Sequence, residues 1–168
     1  ALPVHYATAD FRSDNQNSAL EIYIGAEWTD LHMQPVGEKS CAQVDWVAVL
    51  YDQDMNPVFR DSSQTMGCLP GHTQPAPGTL LIDQIRADIN PGKYLMGLEL
   101  RNHNAQKVQY FRDSVHVESY NQTDLALSDI ELASKAEEKA KHRGQFNKEN
   151  LQVEPVSNTH LRAHATQR

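Results

Sequence analysis

The chain has 168 residues, a net charge of -7 and a hydrophobic fraction of 39%. This length is sufficient for one domain of sandwich size but not for two well-cored domains. The negative charge and the lack of a basic stripe argue against nucleic-acid binding, which needs Lys and Arg to neutralise phosphates. The sequence contains no apolar run of about 18 residues, so no segment has the pattern of a membrane span.

The first half of the chain has the alternating pattern of β-strands. Residues 2–9 alternate loosely, as an edge strand does, and residues 19–24 (ALEIYI) alternate strictly. Residues 43–51 (QVDWVAVLY) carry the strongest strand pattern, and both of their faces are partly apolar. This composition predicts a central strand. A turn at 52–57 then precedes a return strand that begins at Val58.

The second half continues the pattern after a Pro- and Gly-rich stretch at 67–78, which predicts a surface loop. Residues 79–87 form the next predicted strand. Residues 90–101 (NPGKYLMGLELR) begin with a Pro-Gly turn and then alternate apolar and polar side chains. A polar turn at 102–105 leads into the β-rich run 107–118, so the sequence predicts a hairpin here.

These repeated strand signals predict an all-β fold, an antiparallel β-sandwich of the immunoglobulin or fibronectin type III kind, over residues 1–124. Residues 125–168 have few apolar side chains and are predicted to form an extended C-terminal arm. Within the arm, a capping box at Ser128 to Glu131 and a run rich in Ala, Glu and Lys predict a helix over 129–143. Its apolar face is thin, so the helix would be marginal on its own.

The two cysteines, Cys41 and Cys68, are too far apart in the sequence to form the close-spaced pair of a structural zinc site. A disulfide in an oxidising compartment and two unpaired buried thiols remain as alternatives. We favour the disulfide.

No motif in the sequence indicates catalysis. The 8 histidines are scattered without metal-ligand spacing, and no GxSxG motif of a nucleophilic serine occurs. The carboxylates of Asp45, Asp83, Glu99 and Asp113 are predicted to lie on outward, solvated strand faces. We therefore expect a protein without enzyme activity, cofactor or bound metal.

Several short motifs resemble bacterial GWxTD-domain proteins, in the region of their N-terminal sandwich. They are DFRS at 10–13 before an LEIYI strand, PGKY at 91–94, LSDIELA at 127–133, and LQVEP at 151–155. The GWxTD motif itself is absent, and the chain ends near the point where that family continues into further β structure. The resemblance implies an extracytoplasmic, non-enzymatic sandwich of a Gram-negative-type envelope, and it favours a strand rather than a helix at the start of the arm.

From these features we expect a periplasmic or cell-surface accessory subunit, extrinsic to the membrane, that stabilises a larger membrane-bound complex, for example a bioenergetic one. The start at Ala1 resembles a processed end, although trimming would look the same. The arm would wrap a protein partner, with integral membrane subunits as the expected partners. The candidate contact residues are Trp28, Phe146, Leu151, Val153, Val156 and Leu161.

The alternative function is a carbohydrate- or ligand-binding sandwich in a cell-envelope protein. Sugar-binding sheet faces usually present exposed aromatic rings, and Tyr23, Tyr51 and Tyr120 are the candidates on the predicted strands. Tyrosines on sheets also serve in edge packing.

Overall fold

A computed structural model describes residues 3–13, 16–71, 73–103, 105, 107–120, 127–129, 133–138, 147–148 and 151–155. In this part of the chain the regular structure is β-strand, apart from a 3₁₀ turn at Trp28–Asp30. The strands are β1 (Val4–Arg12), β2 (Ser18–Glu27), β3 (Gln34–Val36), β4 (Lys39–Tyr51), β5 (Pro57–Pro70), β6 (Leu80–Ile89), β7 (Gly92–Asn102), β8 (Lys107–Val117), β9 (Ala133–Glu138), β10 (Asn147–Lys148) and β11 (Leu151–Pro155).

The strands form two main sheets, and every pair within them is antiparallel. The first sheet has the order β1-β2-β6. The second sheet has the order β3-β4-β7-β8, and β5 pairs with the other side of β4. Immunoglobulin-like sandwiches likewise place strands A, B and E in one sheet and C, F and G in the other. The predicted antiparallel sandwich is therefore confirmed.

The core lies between the two sheets and is formed by every second residue of the central strands. On β4, the fully buried side chains include Trp46 and Leu50, and on β2 they include Leu20 and Ile22. Burying a side chain of this size contributes about 1.5–3 kcal/mol. The predictions that residues 43–51 form a central strand and that β7 and β8 form a hairpin are both confirmed.

The prediction of a surface loop over 67–78 is wrong at its start, because β5 continues to Pro70. These residues pair with β4. The Pro and Gly content of 67–78 does not reveal how far β4 extends. The backbone groups of these residues are paired in the ladder, with Gly67 opposite Ala42 and Leu69 opposite Ser40. Hydrogen bonds to a long central strand thus extend the structure beyond the first loop-favouring residues.

The arm contains a third sheet of order β10-β11-β9. The predicted helix over 129–143 is wrong for Ala133–Glu138, which is a strand that pairs with Leu151–Pro155. A segment with a thin apolar face gains little from helix formation, and pairing with a distant strand satisfies the same backbone groups. Residues 130–132 and 139–143 lie outside the described residues, as does the predicted domain boundary at 124 and 125.

Candidate functional site

Inward-facing aspartates join the two sheets along one lateral edge of the sandwich, where β1 faces β8. Asp113 on β8 accepts hydrogen bonds from the backbone N–H of Ser114 at 2.8 Å and from the hydroxyl of Tyr6 on β1. Asp10 on β1 accepts the hydroxyl of Tyr120 and the backbone N–H of Glu118, each at 2.5 Å. These bonds hold the middle of β8 and the residues just after its end against β1.

The opposite lateral edge, between β5 and β6, has a similar arrangement. Asp83 on β6 accepts the backbone N–H of Gln84 at 2.7 Å with one carboxylate oxygen. Its other oxygen accepts the hydroxyl of Ser63 on β5 at 2.6 Å and the hydroxyl of Thr65. The prediction that Asp83 and Asp113 face outward is wrong. For Asp83 the sequence contained a signal. The apolar Leu81 and Ile85 are two positions away on either side, so they share a strand face with Asp83, and both are buried in the structure.

The hydrogen bonds between these aspartates and the Tyr, Ser and Thr hydroxyls have a structural role. Burial, and then the hydrogen bond from each ring to its aspartate, raises the pKa of Tyr6 and of Tyr120 well above the ordinary 10.0. Both phenols therefore stay protonated and act as donors to a carboxylate. Among the described residues, no group of three or more His, Cys, Asp or Glu side chains is placed to hold a metal ion.

The outer side of β1 and β2 in the first sheet is a buried surface, which we name the covered face, whereas Arg86 and Asp88 on the outer side of β6 are exposed. Ala19 is 0% exposed and Tyr23 is 5% exposed, although both point away from the core between the sheets. Ala7, Ala9 and Glu21 lie on the same side and are also buried. The Tyr23 hydroxyl donates a hydrogen bond to Glu21 at 2.5 Å. The covered face therefore offers little surface to a ligand from solution.

The outer side of the second sheet is exposed, and we name it the open face. It contains outward residues of four neighbouring strands, which the register aligns in rows. The largest exposed apolar side chains on it are Tyr110, 67% exposed, and Met66, 65% exposed. Val58 and Val108 are also exposed there. Val58 and Met66 lie on β5 and Val108 and Tyr110 lie on β8, with polar residues such as Asp45 and Glu99 between the two strands. Tyr110 and Val108 are two residues apart on one side of β8, so this part of the face is the candidate binding surface.

A shallow concavity of about 200 Å³ lies in the middle of the open face. Gly97 forms part of its floor, and the ring of Tyr51 lies beside it, 3.7 Å from the position that a Cβ at Gly97 would take. Pockets for drug-sized ligands have about 300–1,000 Å³, so this concavity fits one side chain or one small ring. It is lined by Val47, Val49, Tyr51, Gly97, Leu98, Glu99, Tyr110, Phe111 and Arg112.

Charged groups of both signs surround the concavity. Glu99 is one strand away from Tyr110 in the same row, and it pairs with Arg101 at 3.1 Å. Arg112 lies opposite Gly97 in the next row and is exposed. Farther along the face, Asp45 accepts a hydrogen bond from the amide of Gln64 at 2.7 Å. The concavity thus combines apolar side chains of β4 with charged side chains of β7 and β8.

Of the three tyrosines named as candidates for a sugar platform, Tyr51 lies on the open face. Tyr23 and Tyr120 are buried, so these two are packing residues and not candidates for sugar binding. Burial here depends on groups that pack from outside the strand, which alternation does not reveal. Tyr110 and Met66 were not predicted as site residues. The signal for Tyr110 was its alternation with the inward Phe111 and Val115 of the same strand.

Trp28, predicted to contact a partner, lies in the 3₁₀ turn and is partly buried against the core. Its indole also lies against Gly67, where an added Cβ would come within 2.2 Å of the ring. This packing gives Trp28 a structural role in the space between β5 and β6. Its contact with a partner stays a prediction.

The other predicted partner contacts are in the arm. Leu151 and Val153 belong to β11. Phe146, Val156 and Leu161 lie outside the described residues. The structure therefore places two of these residues in the third sheet, and their contacts with a partner also stay predictions.

A disulfide joins Cys41 on β4 to Cys68 on β5. The two residues are directly opposite in the register, and their Cα atoms are 4.1 Å apart. This short distance is typical of a pair without mutual backbone hydrogen bonds in an antiparallel ladder. Of the two alternatives for the cysteines, the structure contains the disulfide.

No model of a known protein family matches the chain. A search of curated proteins also returned no significant match. The resemblance to GWxTD-domain proteins therefore stays a prediction. Within the part of the chain that the structure describes, no helix is both long enough and apolar enough to cross a membrane.

Proposed function

We propose that this protein is a non-catalytic binding module that holds a protein partner on its open face. The observation that carries the proposal is the exposed ring of Tyr110 beside the concavity, with Val108 exposed next to it on β8 and Met66 exposed on β5. Tyr, Met and Arg are enriched in the centres of protein interfaces, and all three residue types occur here. Arg60, Arg101 and Arg112 are the arginines on this face.

The shape of the open face supports the same function. A concavity of about 200 Å³ beside an exposed tyrosine can accept one anchor side chain of a partner. The mixed charges beside the concavity, including Glu99 and Arg112, can orient the partner and disfavour proteins without complementary charges. The carboxylate and hydroxyl clusters at the lateral edges are occupied by their own hydrogen bonds, which supports a binding rather than a catalytic role.

The module would act outside the cytoplasm, in the periplasm or at the cell surface, as an accessory subunit extrinsic to a larger membrane-bound complex. The disulfide supports an oxidising compartment, since disulfides persist there and are rare in the cytosol. Integral membrane subunits of such a complex are the proposed partners. The arm, with its predicted contact residues, would contribute to the same assembly.

The test is purification of the full chain from its source membranes in mild detergent, followed by mass spectrometry. Stoichiometric recovery of integral membrane subunits is expected with the natural sequence. Two substitutions on the open face, Tyr110→Ala and Met66→Lys, should together remove those subunits because both side chains are exposed and lie on the binding surface.

Met55→Ser is the matched control for this experiment. Met55 is 56% exposed in the turn between β4 and β5, outside the arm and outside the rows of the open face, so its substitution should leave the recovered subunits unchanged. A lone protein without partners, or a complex that survives the double substitution, would count against the open face as the partner surface.

A carbohydrate is the second candidate ligand. The ring of Tyr110 is exposed beside the concavity, and a flat aromatic ring with charged neighbours is suited to stacking against a sugar ring. This function would give binding on a glycan array that Tyr110→Ala removes, without any protein partner in the purification. Glycan binding that Tyr110→Ala does not change would contradict it.

A further inference from the structure

We infer that the third sheet, formed by β9, β10 and β11, packs over the covered face of the first sheet as an additional layer. The first observation is burial. Tyr23 and Glu21 point outward from β2, the middle strand of the first sheet, yet they are only 5% and 4% exposed. A tyrosine in the middle of a bare three-stranded sheet would expose its ring to water, so another layer lies on this side.

The second observation is the composition of the covered face. Three of its residues, Ala7, Ala9 and Ala19, have small side chains, and Tyr23 forms a second apolar cluster with Ala7 and Ala9. Phe11, Leu80 and Ile82 are packed against this cluster. Small and aromatic residues are typical of a sheet face that contacts another sheet. On β6 the outward Arg86 and Asp88 are exposed, so the additional layer lies over β1 and β2.

The third observation is the path of the chain after β8. Asp129 and Asp10 exchange two hydrogen bonds: the N–H of Asp129 donates to the carbonyl of Asp10 at 3.1 Å, and the N–H of Asp10 donates to the Asp129 carboxylate at 3.0 Å. The chain therefore lies along the outer edge of β1 before the third sheet begins. Ala9 and Phe11, the neighbours of Asp10, both face outward on this strand.

The reach of the chain then limits where the third sheet can begin. β9 starts at Ala133, four residues after Asp129. Four residues of extended chain span at most about 13–14 Å. Packed sheets are about 10 Å apart, so β9 can reach the layer above the covered face without extra chain. The open face, the other available side, has Tyr110 and Met66 exposed and is therefore not covered.

This arrangement gives the arm an intramolecular role that does not depend on which ligand the open face binds. The third sheet keeps the apolar surface of the first sheet away from water and from strand-to-strand association. It leaves the open face as the large surface that remains available to other molecules.

The test uses the full chain with Phe11 replaced by p-benzoylphenylalanine, which cross-links to neighbouring atoms on illumination. Peptide mapping should find intramolecular cross-links to residues 133–138 or 151–155. The matched control has the same replacement at Tyr110 on the open face, and it should give none of these cross-links. Cross-links to Ala19 or Tyr23 of the neighbouring strand are expected as well, because Phe11 packs beside them. The absence of any cross-link to residues 133–138 and 151–155, or links to a second copy in their place, would overturn the inference.

A second measurement is trypsin cleavage of the arm at Lys135 and Lys148. Ala9→Glu introduces a charge beneath the third sheet and should increase the rate of this cleavage at least tenfold. Tyr110→Glu, the control on the open face, should leave the rate unchanged. Rapid cleavage of the natural sequence, at the rate of an unfolded peptide, would overturn the inference even if Ala9→Glu failed to fold.

Discussion

The outer surfaces of the two sheets differ although both follow the same alternating strand pattern. On the first sheet, outward residues such as Ala19 and Tyr23 are as buried as the core. On the second sheet, the outward Tyr110 and Met66 expose about two thirds of their surface, at 67% and 65%. The difference teaches that a two-sheet sandwich can bury outward residues of one sheet while it leaves those of the other sheet exposed. It also makes the two surfaces respond differently to the same substitution.

The largest difference is expected for a charged residue on each face. Ala19→Glu places a carboxylate where no solvent reaches, so overpacking and an unpaired charge together should lower the free energy of unfolding by about 4 kcal/mol. Val108→Glu on the open face should change it by no more than about 0.5 kcal/mol. Urea unfolding of both full-length variants measures the difference. Equal losses would show that the open face is packed as well.

The next effect concerns the edge of the second sheet, where β5 has β4 as its only partner within that sheet. Replacing both Cys41 and Cys68 by Ser removes the link between these strands and should reduce the free energy of unfolding by about 3 kcal/mol. Denaturant unfolding with and without a reductant measures this. The reductant should destabilise the natural sequence and leave the double variant unchanged; a loss below about 1 kcal/mol would contradict the prediction.

Substitutions at two glycines compare how tightly the inner and outer sides of the second sheet are packed. Gly67→Ala should cost about 2–3 kcal/mol, because the new Cβ would lie 2.2 Å from the Trp28 ring. Gly97→Ala on the open face should be neutral or slightly stabilising, because the closest atom is 3.7 Å away and alanine has less freedom in the unfolded chain. Thermal unfolding measures both. A destabilising Gly97→Ala would show that the floor of the concavity is already filled.

The smallest effect should come from a single buried hydroxyl. Tyr120→Phe removes the hydrogen bond to the buried Asp10 and should cost about 1.5 kcal/mol at neutral pH. Tyr110→Phe on the open face should cost nothing measurable. Unfolding free energies of the two variants and the natural sequence give this comparison. A similar loss in both would assign the effect to the phenol group in general and not to its burial.

The same hydroxyl predicts a pH dependence. The pKa of Tyr120 is raised above its ordinary 10.0 in the folded state, first by burial and then by the hydrogen bond to Asp10. A raised folded pKa contributes stability that is complete below pH 10 and is lost as the pH rises further. Tyr120→Phe should therefore lose less stability above pH 10 than the natural sequence. Parallel pH profiles for the two proteins would contradict this.

The sequence alone determined most strands of the two main sheets and their apolar inward positions, because alternation with period two and turn residues are local signals. The core residues of β4 and β7 and the β7–β8 hairpin follow from such signals. For Cys41 and Cys68 the sequence favoured a disulfide and left two unpaired thiols as the alternative. The sequence also indicated outward positions on the open face. It did not show which of those positions would stay exposed.

Only the tertiary structure decided what lies on each side of a strand. The strand order, the inward aspartates Asp83 and Asp113 and the burial of Tyr23 and Tyr120 all depend on contacts between distant residues. The same holds for Ala133–Glu138, where helix propensity was overruled by pairing with Leu151–Pro155. A local pattern predicts which way a side chain points. The layer that packs against the side chain sets how much its burial contributes to the free energy of unfolding.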